Sequence, residues 1–357
     1  MAFYNDDTSK SEDIWRTFRR TLVVVAVLVI VTLFWIAHEV FLLLFAGLLF
    51  GILLDGLAAI VAKYSKLSRP WALTVTVLTL LFVTVAVVNG IAPGVGEQVT
   101  ELQTALPRSI ARLKDFLNQY TLGAALLANL PNLQDLSGEA GSLLVKLTGA
   151  VSATVNILIR VILVIVIGIF AAAEPQSYRG AFLKLFAPRY HERIHDIMHA
   201  VHDRIWWWLV SVGGSMLSIS ILAFIGLKTL GVHPALTLAL LTGLLTFIPN
   251  FGPILSAVLP VLIGLMQSPG KAVAVIVVYV IIQFLEAHLV TPLIQRRTIR
   301  MPPILGISAQ LTFSLLFGFM GLILAAPLMA SLLAIMASIS KDRETVAKQT
   351  VLAKPKL

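Results

Sequence analysis

Residues 234–338 are almost continuously apolar, interrupted only at 249–253, 268–271 and 295–303. No ordinary water-facing fold can be built from such a stretch, because soluble domains are about 45–50% apolar and about 25% charged. The whole chain shares the bias: of 357 residues, 58% are hydrophobic and 13% charged. That sets aside the two or three soluble domains that length alone would suggest. Backbone polar groups inside a bilayer must be satisfied within the protein, so only helices or closed barrels span it. Apolar runs of ~20 residues or more read as helices. The fold class is therefore all-α, a polytopic integral membrane protein with the lipid bilayer as its first partner. With no cysteine in the chain, disulfide frameworks and thiolate-held metals are excluded.

The punctuation of the apolar runs gives the organisation. Residues 1–21 form a polar arm in which Arg16, Arg19 and Arg20 precede a charge-free run at 22–37. No small-residue cleavage site follows, so this run reads as an uncleaved first span. A second run, 40–62, contains Asp55-Gly56 and ends at a basic turn (Lys63, Lys66, Arg69); a third covers 71–92. Residues 22–92 are thus the first three spans. Residues 93–150 mix charges with Leu102, Leu106, Ile110, Leu113 and Leu117. Steps of three and four make an amphipathic stripe, an extracytoplasmic region lying at the interface. A fourth run, 151–173, contains Arg160, and 174–205 is polar and basic. Trp206, Trp207 and Trp208 then open the fifth run at the level of the membrane–water boundary that tryptophan favours.

Residues 272–294 form an ordinary sixth span. The flanking runs, 234–267 and 304–338, are 34 and 35 residues long. As single helices each would measure about 50 Å, well beyond a hydrocarbon core of about 30 Å. Each carries a Gly/Pro break near its middle, so both read as broken hairpins. About eight spans result, with 151–338 holding the remaining spans and both broken hairpins and 339–357 as a tail.

The basic excess has a topological explanation. Lys plus Arg is 27 and Asp plus Glu 18, a net +9. With the N-terminus in the cytoplasm, 20 of the 27 basic residues fall in inside segments (1–21, 63–70, 174–205, 295–300, 339–357), as the positive-inside bias requires. Both termini are then cytoplasmic, and nucleic acid is not needed as a partner.

The breaks also carry motifs. Thr246-Phe247-Ile248-Pro249-Asn250-Phe251-Gly252-Pro253 resembles the F-I-P-x-x-G-P signature of the AI-2E (autoinducer-2 exporter) transporter family, which includes PerM-like permeases. Gln283-Phe284-Leu285-Glu286 followed by Pro292 is similar to its second motif. Gly318-Phe319-Met320-Gly321 with Ala325-Ala326-Pro327-Leu328 is similar to its G-x-x-G…A-x-P-L ending. Met301-Pro302-Pro303 departs from the polar residue the family commonly places before this proline. The resemblance implies a bacterial cytoplasmic-membrane permease of about eight spans and a homo-oligomer, with a pentamer among the candidates. It also implies export of a small signal of the autoinducer-2 kind or exchange of sodium or lithium for protons.

Site candidates follow from charge and breakage at membrane depth. Pro249 and Pro253 remove backbone donors, and freed carbonyls at that depth line cavities or pack in protein. Half-helix ends of this kind build transporter sites, which singles out Pro249, Asn250, Gly252 and Pro253. Glu286, at mid-run in 272–294, costs roughly 2.5–3.5 kcal/mol to insert and is expected in the substrate or ion pathway, with Gln283 on the same helical face. Asp55 is a weaker pathway candidate. Arg160 is a candidate ion pair or gate, although Asp55 lies at a different depth. His191, His195, His199 and His202 fall on one helical side and are a weak metal candidate; a solvated helix face explains them better.

No P-loop, H-E-x-x-H or G-x-S-x-G pattern occurs, so ATP-driven transport and these hydrolase chemistries have no visible machinery. The chain is expected to be a non-enzymatic secondary transporter of a small polar molecule, without a cofactor but with proton or sodium coupling open. A Na⁺(Li⁺)/H⁺ antiporter and a non-transporting membrane scaffold are the alternatives.

Overall fold

The computed structural model describes residues 6–119, 158–290, 292 and 302–352. Helix α1 (Asp6–Ser65) has 60 residues and is about 90 Å long. It contains both of the first two apolar runs without a turn between them. This corrects the expectation of two spans there. His38 and Glu39 are polar, but the segment holds neither proline nor glycine, and polarity alone does not break a helix whose hydrogen bonds continue. The placement of residues 1–21 on the same side as residue 63 depended on that turn.

Helix α2 (Arg69–Asn118) likewise runs from the third span straight into the amphipathic stripe. The expected boundary near residue 93 is therefore not an element boundary. The rest of the stretch, 120–150, lies outside the described residues, as do Thr291 and the basic segment 295–300. A left-handed Lys66 (φ 56°) turns α1 into α2, and Arg69 grips Asp55 at 2.6 Å across that turn.

Helix α3 (Leu158–Ala173) bends by 88° into α4 (Pro175–Leu183). Pro175 occupies the first turn of α4, where its missing N–H costs no helical bond. Helix α5 (His191–Thr229) fuses the histidine series to the fifth span as one helix of 39 residues. Helices α6 (Ala235–Leu245) and α7 (Phe251–Gln267) follow, with 11 and 17 residues. Helix α8 (Pro269–Leu285) widens into a π turn at Glu286–Val290. Helix α9 (Pro303–Leu352) closes the described chain and is interrupted at Gly318 (φ 62°, ψ −147°).

Among the described residues five helices are long and apolar enough to cross a membrane, or six if α3 and α4 form one bent span. The chain is an all-helical polytopic membrane protein. Runs one and two share α1, and α6 and α7 are each shorter than a full crossing.

Both overlong runs are broken hairpins. A Cβ on Gly252 would run into the Leu245 carbonyl oxygen, and one on Gly321 into that of Phe313. In a straight helix, residues seven or eight apart are separated by about 10–12 Å, so the chain doubles back at each break. The two glycines are what let the arms meet.

Helix α5 is the spine. Its C-terminal half packs Ile219, Ala223 and Leu227 against α6 and α8, with Leu238, Val275 and Tyr279 in the same layers. Its N-terminal half places Ile205 against Leu42 and Leu49 of α1 and Leu324 of α9. Of the tryptophans, Trp208 is buried edge-on to Phe247 at 5.9 Å, and Trp206 lies on Gly56. Large apolar side chains such as Phe82, Ile254 and Leu315 point outward instead, as a lipid-facing surface requires.

Candidate functional site

The break between α6 and α7 begins where Thr246 caps α6 and the chain turns through Pro249 and Asn250. Asn250 adopts φ 65°, a left-handed conformation that asparagine tolerates better than most residues. Pro253 then falls in the first turn of α7, which accepts proline. In this turn Phe251 N donates to the Pro249 carbonyl at 2.8 Å. Gln310, from the first arm of α9, adds a second donor: its Nε2 donates to Pro249 O at 2.7 Å, and its Oε1 accepts from Asn250 Nδ2 at 2.9 Å. Gln310 is 1% exposed. One side-chain amide thus clasps the tip of the first hairpin to the second.

Beside this clasp is a cavity of about 550 Å³ between α7 and α8. Asn250 and Pro253 line it from the hairpin; Gln283 and Glu286 line it from α8, with Tyr279 below them. Four residues expected from sequence to form a pathway therefore share one cavity. Pro249 and Gly252 belong to the same turn but do not line the cavity. Nε2 of Gln283 is buried and makes no hydrogen bond among the described residues. Such a donor is costly to leave unmet, by about 1–3 kcal/mol.

Glu286 is the first residue of the π turn that follows α8. π turns disrupt the i→i+4 ladder and occur frequently at functional sites. The Ser215 hydroxyl of α5 donates to Glu286 Oε1 at 3.2 Å. Across the cavity floor Tyr279 and Thr242 share a buried 2.7 Å hydrogen bond. His288 turns away and stacks on Phe284.

The remaining candidates lie elsewhere. Asp55 pairs with Arg69, and Arg160 pairs with Glu39 at 2.7 Å, so the two are not partners. The histidines do not converge. His195 and His199 approach at 3.2 Å between Nε2 atoms, His191 bonds the Phe186 carbonyl, and His202 faces Arg179 at 3.4 Å. Among the described residues no three His, Cys, Asp or Glu side chains gather as a metal site. His202 lies outside the apolar part of α5. Its own burial, and then the Arg179 guanidinium, lower its pKa below the ordinary histidine value.

Sequence reasoning missed Gln310, Ser215, Tyr279 and Glu39. Gln310 had a usable signal, being an isolated amide in the apolar run at 304–318. Glu39 was hidden by being read as the edge between two spans.

Broken half-helices that bring a few polar side chains to a groove in an apolar bundle are an architecture found in membrane transporters. The profile of the AI-2E family transporters matches residues 24–341, and the chain belongs to this family. It is similar to YueF of Bacillus subtilis, a candidate transport protein, at 24% identity over 87% of this chain and 89% of the relative. It is also similar to the candidate transport protein YhhT of Escherichia coli K12, at 24% over 82% of each. YrrI of B. subtilis, another candidate transport protein, is 38% identical over a shorter stretch, 32% of this chain and 33% of its own.

Proposed function

We propose that the protein is a secondary permease that exports a small polar solute, of the autoinducer-2 kind, through the cavity at Asn250, Gln283 and Glu286. The observation that carries this reading is the convergence of two amides and a carboxylate on a 550 Å³ space beside a broken helix, one amide donor being unmet among the described residues. A volume of this order suits a small ligand, and hydroxyl or carbonyl oxygens of a polar solute would satisfy the Gln283 donor. The carboxylate can exchange a proton as the solute passes, giving proton coupling without a cofactor.

A second reading, exchange of Na⁺ or Li⁺ for protons, is supported by the oxygen pair of Glu286 and Ser215, since hard cations take oxygen ligands. The location in this proposal is the bacterial inner membrane, with the Lys63–Arg69 turn on the cytoplasmic side. A cytoplasmic N-terminus would require the turn at 38–39 that α1 lacks. Self-assembly of the chain would cover part of its outward apolar surface.

The test is flux from proteoliposomes loaded with autoinducer-like polyols, compared with Na⁺ and Li⁺ under a pH gradient. Solute efflux that falls at least tenfold in Gln283→Leu supports export. Cation-dependent proton movement without solute efflux selects the antiporter. No flux of any kind from folded protein refutes both.

A further inference from the structure

A second cavity, of about 600 Å³, lies on the other side of the bundle between α1, α2, α3 and α9. Its chemistry is unlike that of the transport cavity. Ala46 and Phe50 of α1, Leu80 of α2, Val164 of α3, and Phe317 and Met320 of α9 are typical of its walls. Among the described residues, the only charged ones lining it are Glu39 and Arg160, paired with each other at 2.7 Å. The hydroxyl of Thr84, the remaining polar group, is spent on the Leu80 carbonyl of its own helix. The cavity therefore takes an apolar body and offers charge at one place only.

That place is an end. Along α1 the lining begins at Glu39 and reaches Leu54, about 22 Å further on. Half of a hydrocarbon core is about 15 Å, so a chain entering at the ion pair can run past the midplane. The pair is open to its surroundings, with Arg160 35% and Glu39 55% exposed at the side chain. Depth, an apolar trough and a charged mouth together fit a membrane lipid.

The mouth also selects the headgroup. Glu39 and Arg160 sum to zero charge but present both signs side by side. A phosphate suits the Arg160 guanidinium, which binds planar oxyanions through paired donors. A primary ammonium suits the Glu39 carboxylate. A lipid with a phosphate but no ammonium sets its anion against an unrelieved carboxylate.

We propose that this cavity is a binding site for a zwitterionic aminophospholipid, with an acyl chain along α1, the phosphate on Arg160 and the ammonium on Glu39. Phe317 and Met320 flank the break at Gly318, so the acyl chain touches the second hairpin at its fold. The proposal does not depend on what the protein transports.

The experiment is native mass spectrometry of the full-length protein equilibrated in detergent with phosphatidylethanolamine or phosphatidylglycerol. The expected result is roughly tenfold greater retention of phosphatidylethanolamine, the worth of one charge-assisted hydrogen bond. Glu39→Gln leaves Arg160 as a lone cation and reverses the preference toward phosphatidylglycerol. Arg160→Gln lowers retention of both. Ala46→Trp fills the trough and abolishes retention in protein that keeps its elution volume and helical circular dichroism. Equal retention of the two lipids by the unmodified protein, or an unchanged preference in Glu39→Gln, overturns the proposal.

Discussion

Gln310 shows how much one side chain can organise at membrane depth. Its amide gives the Pro249 carbonyl a second donor beside Phe251 N and holds the amide of Asn250 in place. Removing it takes one bond from that carbonyl and leaves the Asn250 amide without this acceptor. Gln310→Leu is expected to lower the unfolding free energy in detergent by about 1–3 kcal/mol, the cost of unmet buried polar groups. A double-mutant cycle with Asn250→Ala should give a coupling of about 1 kcal/mol, in the range for hydrogen bonds between membrane helices. Additive effects would mean that the two amides act independently. The residue scale is also where the sequence was most legible. Asn250, Gln283 and Glu286 stand out because polar groups are scarce and expensive in apolar runs, and the fold brings them to one cavity. What was not legible was partnership. Neither periodicity nor hydropathy relates Gln310 to Pro249 across 61 positions, or Glu39 to Arg160 across 121.

At the scale of elements, the two hairpins share a construction in which a glycine admits the opposing arm's carbonyl. Gly321→Leu should collide with Phe313 and Phe317, giving protein that aggregates or melts at lower temperature. Gly213→Ala on α5, where an added methyl meets nothing within 4 Å, should hold or raise the melting temperature, since alanine favours a helix by ~0.5–1 kcal/mol. The docking of α4 on α5 should respond to pH. His202 faces Arg179, and Asp55, Asp203 and His199 also act on it. Its lowered pKa means that the unfolded or undocked state binds the proton more readily. Stability from this contact is thus full above about pH 6.5 and is lost as pH falls through the lower folded value. Hydrogen-exchange protection factors in Pro175–Leu183, corrected for the intrinsic pH dependence of exchange, should fall between pH 8 and pH 5.5, and His202→Gln should remove that fall. Breaks were readable from glycine and proline; continuity was not. The fusion of two apolar runs in α1, and of span and stripe in α2, follows from helix hydrogen bonds that persist across polar residues when nothing forces a turn.

The described residues form a helical bundle arranged about α5, with one groove lined by Asn250, Gln283 and Glu286 and a separate apolar cavity bordered by Glu39 and Arg160. The chain's lack of cysteine makes its orientation simple to measure. A single cysteine placed at Lys66 should react with a membrane-impermeant maleimide in inside-out vesicles and not in intact cells, because the Lys63–Arg69 turn carries the inside charge. Labelling in intact cells would invert the topology. Composition and the motifs of the last third made the membrane class and family readable. The number of crossings was not, because it depends on which apolar runs turn and which continue. The central claim is that transport passes Glu286, and flux in proteoliposomes containing Glu286→Gln tests it most directly. The amide is nearly isosteric and keeps an acceptor for Ser215, so folded protein should be recovered in normal yield. We predict transport at least a hundredfold below the unmodified protein, the order expected when a positioned proton-transfer group is lost. Transport at the unmodified rate by folded Glu286→Gln would contradict the account.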